Sequence, residues 1–174
     1  NCELETGNSR VTLAFTICSI NYLAQARTLG ESLATTNPDV RFVVGLVDKL
    51  AGVTFKADKQ PPFDLLEVEA LGIPNFAWMS KNYDITELNT AVKPYFIEFF
   101  LRENLEVEHI IYFDPDIIVF QPLDHLLASL QHHPIVVTPH ITVPHTDDLS
   151  TNENDHLNTG TYNLGFIALR RSPD

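Results

Sequence analysis

Two carboxylates, Asp114 and Asp116, stand inside a strongly apolar stretch of the chain. Four mostly apolar residues precede the pair (Ile110–Phe113) and four apolar residues follow it (Ile117–Phe120). Ionised carboxylates beside a core are costly unless a partner neutralises them. The chain has no lysine or arginine between positions 103 and 170, so the local sequence offers no such partner. The pattern therefore favours a bound cation.

Pro115 predicts how the side chains of Asp114 and Asp116 are oriented. A proline disfavours the helical region for the residue before it, which predicts an extended Asp114. Side chains two residues apart on an extended chain point to the same side, roughly 6–7 Å apart along the backbone. A hard divalent cation relieves the repulsion between two such acids, and it takes substrate phosphate oxygens as further ligands. The alternative is a solvated turn between two strands.

A covalent phosphohydrolase is a second chemistry for the same pair. In the haloacid-dehalogenase superfamily, an Asp-x-Asp after four apolar residues supplies a nucleophile and a general acid. Thr138 follows a later apolar strand, as the second motif of that family does. However, the pair lies more than a hundred residues into the chain, no apolar run follows Asp147 and Asp148, and no lysine follows Lys93. We therefore treat this chemistry as a minor alternative.

The elements that position these acids alternate between strand and helix. Residues Val11–Cys18 are predicted to form a buried strand. Apolar positions at helical spacing predict a helix over Tyr22–Thr35, with Asn21 as its N-cap. A second buried strand is predicted over Arg41–Val47, ending on Asp48. This βαβ opening, with strands that are apolar on both faces, predicts an α/β fold with a mainly parallel sheet and helices on both faces.

The rest of the chain continues the alternation. Asp84 and Glu87 have the spacing of a capping box, which opens a helix toward Asn104 that Pro94 is expected to kink or split. A short helix is predicted around Trp78 and Met79, which we expect to be core or lid residues. Further elements are predicted at Phe63–Glu69 (strand), His109–Phe120 (strands around the acids), Pro122–Leu130 (helix), Pro134–Thr138 (strand) and Tyr162–Leu169 (strand).

Composition excludes several classes of protein. The 174 residues predict one domain over residues 1–174. The net charge of −12 disfavours a nucleic-acid binder, which needs a basic surface for phosphates. The longest apolar runs are too short to cross a bilayer. Two cysteines make no disulfide framework, and no signal peptide is recognised, so we expect a cytoplasmic protein.

Five landmarks together resemble the nucleotide-diphospho-sugar transferases. The similarity is to GT-A glycosyltransferases of the glycogenin and lipopolysaccharide-galactosyltransferase type, and it runs from Val11 to Leu169. The resemblance implies a GT-A, Rossmann-like fold. The landmarks, in chain order, are Asn21-Tyr22, Lys93, the strand-borne acids within Tyr112–Val119, Pro122-Leu123 and Asn163-Leu164-Gly165-Phe166.

The resemblance also implies a donor site. Asn21 and Tyr22 are expected to meet the nucleobase, with Tyr22 stacked on it. Lys93 is expected near the donor phosphates or sugar. The donor is a nucleotide-diphosphate sugar, with a UDP-sugar favoured, and the acceptor is an unknown carbohydrate or other molecule. Transfer with retention of the anomeric configuration is implied by the resemblance alone.

The resemblance gives the two acids and the last strand their roles. Asp114 is expected to contact ribose or metal, and Asp116 to bind the metal, Mn²⁺ or Mg²⁺, directly. Asn163 and Gly165 are expected to line the donor-sugar pocket, where glycine permits close backbone approach. A bulge in the strand is the alternative explanation for Gly165.

Two departures from the family pattern qualify the expectation. The first loop, Cys18-Ser19-Ile20, lacks the family's usual acidic residue, so this loop offers no carboxylate to the base. The family's third metal ligand, a histidine in a C-terminal motif, does not occur before Asp174. We therefore expect a domain truncated at its C-terminus. The alternative is a nucleotide-sugar-binding module that is catalytically incomplete.

The segment Pro139–His156 is polar and is predicted to form a long loop over the cleft. A role in acceptor binding would fit its position between two strands. Its spacing of metal-ligating residues fits no zinc pattern, although a second metal site is conceivable there. The residues concerned are His140, His145, Asp147, Asp148 and His156.

Overall fold

A six-stranded sheet organises the chain. The computed structural model describes residues 11–56, 60–143 and 153–172. The strands are β1 (Val11–Cys18), β2 (Arg41–Leu46), β3 (Asp64–Glu67), β4 (Val107–Phe113), β5 (Ile135–Pro139) and β6 (Tyr162–Arg170). They lie in the order β3-β2-β1-β4-β6-β5. The first four strands of this order are parallel, whereas β6 runs antiparallel to both β4 and β5. The predicted mainly parallel sheet is confirmed.

Helices cover both faces of this sheet, as predicted. They are α1 (Leu23–Thr36), α2 (Phe76–Asn82), α3 (Ile85–Glu103), α4 (Asp124–His132) and α5 (Glu153–Thr159). On one face, Leu13, Phe15 and Ile17 of β1 pack with buried residues of α3. On the other face, Ala14 of β1 packs with side chains of α1 and α4. None of the helices in the described ranges has the length and apolarity that crossing a membrane requires.

An aromatic cluster joins α3 to the centre of the sheet. The ring of Phe15 lies 5.2 Å from that of Phe100 and 5.1 Å from that of Tyr112, both in edge-to-face geometry. Phe96, fully buried, lies 6.3 Å from Phe15. Such pairs add to the free energy gained by burial. The cluster therefore fixes α3 against β1 and β4, which matters because α3 carries one wall of the site described below.

Gly45 leaves the space in which Phe96 lies, and this leads to a stability prediction. A Cβ atom at position 45 would lie 2.6 Å from the ring of Phe96. We expect Gly45→Ala to lower the free energy of unfolding by about 1–3 kcal/mol, the usual cost of overpacking a core. Urea denaturation measures it. Phe96→Leu shortens the opposing side chain, so the double variant should lose less stability than the two single losses combined; strict additivity would contradict this contact.

The capping box that opens α3 is confirmed, whereas the split expected as one possible effect of Pro94 does not occur. The Asp84 side chain accepts from the Glu87 backbone N–H at 2.8 Å, and the Glu87 side chain accepts from the Asp84 N–H at 3.0 Å. The helix continues through Pro94 to Glu103. Proline removes one helical hydrogen bond. Burial of Val92 and Phe96 on either side holds the helix together across that gap.

Several local predictions are corrected. Asn21 is not an N-cap, because Ile20–Tyr22 form a 3₁₀ turn and the Asn21 side chain accepts the Ser19 hydroxyl instead. Ile117–Phe120 is not a strand, because it runs beside α1, where the Val119 N–H donates to the Ser32 hydroxyl at 3.0 Å. The expected loop Pro139–His156 contains the start of α5.

Candidate functional site

A cleft of about 570 Å³ opens at the carboxyl ends of β1, β2 and β4. Residues at the ends of these parallel strands form its floor, as expected for a ligand site in an open α/β sheet. Helix α3 forms a wall, presenting Ile85, Asn89 and Lys93, which lie four residues apart and therefore on one helix face. Leu164 of β6 completes the lining next to the two acids.

Asp114 and Asp116 both line this cleft, but the local backbone differs from the prediction. The Ile117 N–H donates to the Asp114 carbonyl at 3.2 Å, which closes a four-residue turn with Pro115 in its second position. Proline favours that position because its fixed φ suits the turn. The acids thus lie on a tight turn beyond the end of β4 rather than on an extended strand. The turn still carries both side chains into the cleft.

Tyr112 fixes the orientation of Asp114. Its hydroxyl donates to Asp114 Oδ1 at 2.6 Å. Burial raises the pKa of the Tyr112 phenol, and the hydrogen bond to Asp114 raises it further. The phenol therefore remains protonated and remains a donor at any physiological pH. This contact to one carboxylate oxygen of Asp114 also fixes the direction of the other oxygen.

Asp114 is hydrogen-bonded to Gly165, which in turn is hydrogen-bonded to Asn163. The Asp114 N–H donates to the Gly165 carbonyl at 2.8 Å, and the Gly165 N–H donates to Asn163 Oδ1 at 2.7 Å. A Cβ atom at position 165 would lie 2.8 Å from Asp114 Oδ2. Asn163 and Gly165 were expected to line the donor-sugar pocket. In the structure Leu164, which lies between them, lines the cleft and they do not. β6 also shifts register against β5 across Leu164–Phe166, in keeping with a bulge.

Lys93 extends from α3 into the same cleft as the two acids. Its ammonium lies 3.9 Å from the centroid of the Tyr112 ring and donates to the Leu164 carbonyl at 2.6 Å. Burial lowers the pKa of Lys93, and the negative charge of Asp114 opposes that shift. The sequence around the acids carries no basic residue, and Lys93, from a helix some twenty residues earlier in the chain, brings a positive charge into the same cleft.

A second polar group lies at the far end of the cleft, where Asp48 follows β2. Asp48 Oδ2 accepts the Ile20 N–H at 2.7 Å, which fixes the first loop. Asn21 and Tyr22, both in that loop, line the cleft, and Tyr22 is about half exposed. Burial, with a contribution from Asp48, raises the pKa of the Cys18 thiol to about 12. Cys18 is therefore a neutral wall residue and not a nucleophile or thiolate ligand.

The two acids form a donor set suited to a shared cation. Among the described residues, no group of three or more histidine, cysteine, aspartate or glutamate side chains is arranged to hold a metal. Two carboxylates supply only oxygen ligands, and Mg²⁺ is usually held by one or two carboxylates together with substrate phosphates. The residues present therefore fit Mn²⁺ or Mg²⁺ that is bound together with a phosphorylated ligand.

The predicted histidine-rich segment is only partly described. His140 and His156 stack with their ring centroids 5.6 Å apart, and a ring nitrogen of His140 lies 2.8 Å from the Gly160 carbonyl. His145, Asp147 and Asp148 lie outside the described residues. Neither His140 nor His156 is among the residues that line the cleft.

Similarity to solved proteins is structural. No protein-family model matches the sequence, and no curated protein matches it. The galactosyltransferase LgtC, solved with donor and acceptor sugar analogues, superposes with a TM-score of 0.53 over 91% of this chain at 17% identity. The chain has the GT-A fold. The match covers 58% of LgtC, so this GT-A chain spans little more than half of that enzyme.

Two other solved proteins have a fold similar to that of this chain. Mouse xyloside xylosyltransferase 1 has a TM-score of 0.51 over 92% of this chain and 67% of its own, at 10% identity. The 4-diphosphocytidyl-2C-methyl-D-erythritol synthase from Anaerococcus prevotii has a TM-score of 0.51 over 94% of this chain and 71% of its own, also at 10% identity. Their names describe different reactions, so the choice of reaction rests on the site itself.

Sequence reasoning missed three groups that shape the cleft. These are Asp48 at the far end, the Tyr112 hydroxyl against Asp114, and Asn89 on the α3 wall. The oxygen of the Asn89 side chain is buried without a hydrogen-bond partner. Asp48 was detectable, because it directly follows a predicted parallel strand and the carboxyl ends of such strands meet. The other two depend on packing that spacing along the chain does not reveal.

Proposed function

We propose that this chain binds a nucleoside-diphosphate sugar in the cleft and transfers its sugar to an acceptor. The observation that carries the proposal is the separation of two acidic ends within one cleft. Asp114 and Asp116 follow β4, and Asp48 follows β2, with β1 between these strands. Strand spacing puts the two ends about 10 Å apart, which suits a nucleotide with its base at one end and its diphosphate at the other.

The roles of the residues follow from this placement. Tyr22 offers a ring face and Asp48 a hydrogen-bond acceptor to the base. Asp114 and Asp116 would hold Mn²⁺ or Mg²⁺, which supplies Lewis-acid stabilisation of the negative charge on the leaving diphosphate. Lys93 adds a fixed positive charge beside the same leaving group. Tyr112, donating to Asp114, keeps that carboxylate oriented before the ligand arrives.

The test combines binding with turnover. Thermal unfolding is followed with UDP, GDP, CDP and their sugars, each with and without Mn²⁺. A ligand at a hundred times its Kd adds about 2.7 kcal/mol, which shifts the midpoint of a chain this size by about 5–10 °C. Release of nucleoside diphosphate then measures transfer, and NMR of the product tests retention at the anomeric carbon. The proposal fails if no nucleotide gives a metal-dependent shift.

Two alternatives make different predictions in this experiment. A catalytically incomplete binding module would give the metal-dependent shift without release of nucleoside diphosphate from the sugar. A phosphohydrolase would use Asp114 as a covalent nucleophile, so it predicts stabilisation by a phosphate mimic rather than by a nucleotide. The structural similarities give that alternative no support, and a shift produced only by BeF₃⁻ with Mg²⁺ is the result that would restore it.

Lys93 gives a pH prediction. Because burial lowers its pKa from the ordinary value of 10.5, it loses its charge at a lower pH than exposed lysines do. Attraction to the diphosphate is therefore present below the lowered pKa and lost as the pH rises through it. We expect Mg²⁺-dependent affinity for UDP to fall on the alkaline side, and Lys93→Arg to remove that fall because arginine stays charged. An identical alkaline profile in both proteins would exclude Lys93 from phosphate binding.

Asp48 gives a specificity prediction. With Oδ2 occupied by the Ile20 N–H, the other oxygen is available to accept an N–H of uracil or guanine. In Asp48→Asn the amide oxygen can keep the Ile20 contact, so a donor replaces the acceptor toward the base. UDP affinity should fall about 10-fold, consistent with a lost hydrogen bond to a charged group, while CDP should lose less. Equal losses for the two nucleotides would place Asp48 outside the base site.

A further inference from the structure

Trp78 and Tyr83 form an exposed aromatic pair on the outside of the fold, which we term the aromatic platform. Their ring centroids lie 5.7 Å apart with an interplanar angle of 80°. Trp78 is 58% exposed and Tyr83 37% exposed, so of the two roles expected for Trp78, core or lid, the core role is wrong. Large aromatic side chains are mostly buried on average, and an exposed cluster of them commonly marks a binding surface.

The fold holds the aromatic platform in place. Phe76 and Met79 on the opposite side of α2 pack against the core cluster around α3. The Asn82 side chain donates to the Trp78 carbonyl at 2.7 Å, and the Tyr83 N–H donates to the Met79 carbonyl at 2.9 Å. Because α2 is anchored by its buried side, the ring of Trp78 on α2 and the ring of Tyr83 directly after it are presented to solvent without a large cost in conformational entropy on binding.

The platform adjoins the donor cleft. Tyr83 is followed by Asp84, the N-cap of α3, and then by Ile85, which lines the cleft. The backbone between platform and cleft is fixed by the capping box of Asp84 and Glu87. A ligand resting on the Tyr83 ring would therefore be held only two residues along the chain from Ile85, at the start of the helix whose wall also carries Lys93.

We propose that the aromatic platform binds a neutral pyranose ring of the acceptor, an assignment that rests on the proposed transferase function. The C–H groups on one face of a pyranose pack against an aromatic ring, while the indole N–H and the phenol O–H can hydrogen-bond its hydroxyls. A neutral sugar fits because the chain carries a net charge of −12, and Lys81 is the single basic residue in positions 76–85. An anionic acceptor would be repelled.

Trp78 is the only tryptophan of the chain, so its fluorescence reports directly on the platform. The probes are the methyl glycosides of glucose, galactose and mannose, together with lactose, maltose and cellobiose. We expect at least one to change the emission of Trp78 saturably, with a Kd in the millimolar range. Tyr83→Ala should weaken that binding at least about 5-fold. Phe120→Ala, which removes a ring that is 82% exposed elsewhere, should leave it unchanged.

The binding of UDP with Mn²⁺, measured by calorimetry on the same proteins, separates this proposal from the proposed function. If UDP binds while none of the sugars alters the emission, the platform is not an acceptor site, and the donor site stands. If sugars bind but UDP does not, the proposed function fails and the acceptor role fails with it. A dimer in sedimentation that Trp78→Ala dissociates would overturn the proposal in favour of contact with a second copy.

Discussion

Asp116→Asn is expected to abolish metal-dependent nucleotide binding. The substitution removes one of the two carboxylates that line the cleft after β4 while keeping the size of the side chain. Loss of a residue that merely orients a metal ligand commonly costs 10–100-fold in metal affinity. Loss of a side chain that binds the metal directly should therefore lower metal affinity at least about 100-fold. Calorimetric titration of UDP at fixed Mn²⁺ measures this, and the Mn²⁺-dependent thermal shift should disappear.

The matched control for this variant is Asp39→Asn. Asp39 is exposed and precedes β2, so it lies at the edge of the sheet away from the cleft. Asp39→Asn removes the same unit of negative charge as Asp116→Asn. Because this charge is distant and on the surface, UDP affinity with Mn²⁺ should stay within about 2-fold of the parent. Undiminished Mn²⁺-dependent binding by Asp116→Asn would remove the two acids from the proposed site.

Gly165→Ala has the second-largest expected effect, although position 165 does not line the cleft. The added Cβ would lie 2.8 Å from Asp114 Oδ2 and 2.9 Å from Asn163 Oδ1. Asp114 is held from its other side by the Tyr112 hydroxyl, so it cannot turn away without breaking that bond. We expect Mn²⁺-dependent UDP affinity to fall at least about 10-fold, the loss typical of disturbing the support of a metal ligand. The free energy of unfolding should fall by about 1–3 kcal/mol.

Gly30→Ala separates the effect on the site from simple overpacking. Its Cβ would lie 2.8 Å from the ring of Phe42, on the α1 side of the sheet and away from the cleft. This variant should therefore show altered stability with unchanged UDP affinity. If the two glycine variants lost nucleotide affinity equally, the effect at position 165 would be a general loss of structure.

The arrangement of the sheet was largely predictable from the sequence, because its signals are local. The run Val11–Cys18 is apolar on both faces, and the structure buries both faces of it. The capping box at Asp84 likewise involves residues three positions apart, and it forms as predicted. Conversely, Ile117–Phe120 has the composition of a strand but does not pair with any described strand. Whether a segment finds a partner strand depends on distant parts of the chain.

The site was predictable in its residues but not in its contacts. Asp114, Asp116, Lys93 and Tyr22 all line one cleft, as the resemblance implied for its donor site. Their chemical roles stay predictions until a ligand is bound. The support of Asp114 by Gly165 brings together residues about fifty positions apart, and the pairing of an antiparallel strand beside β4 decides it. No periodicity within either segment carries that information.

The position of β6 between β4 and β5 has a consequence for how the chain is made. Of the six described strands, β6 is synthesised last, yet Phe113 at the end of β4 pairs with Phe166 of β6. Until β6 emerges from the ribosome, β4 has an open, apolar edge that invites association with other chains. The Gly165 carbonyl that receives the Asp114 N–H is also absent at that stage. Nucleotide present during refolding should therefore stabilise only chains that have already inserted β6, and it should leave the rate of that insertion unchanged.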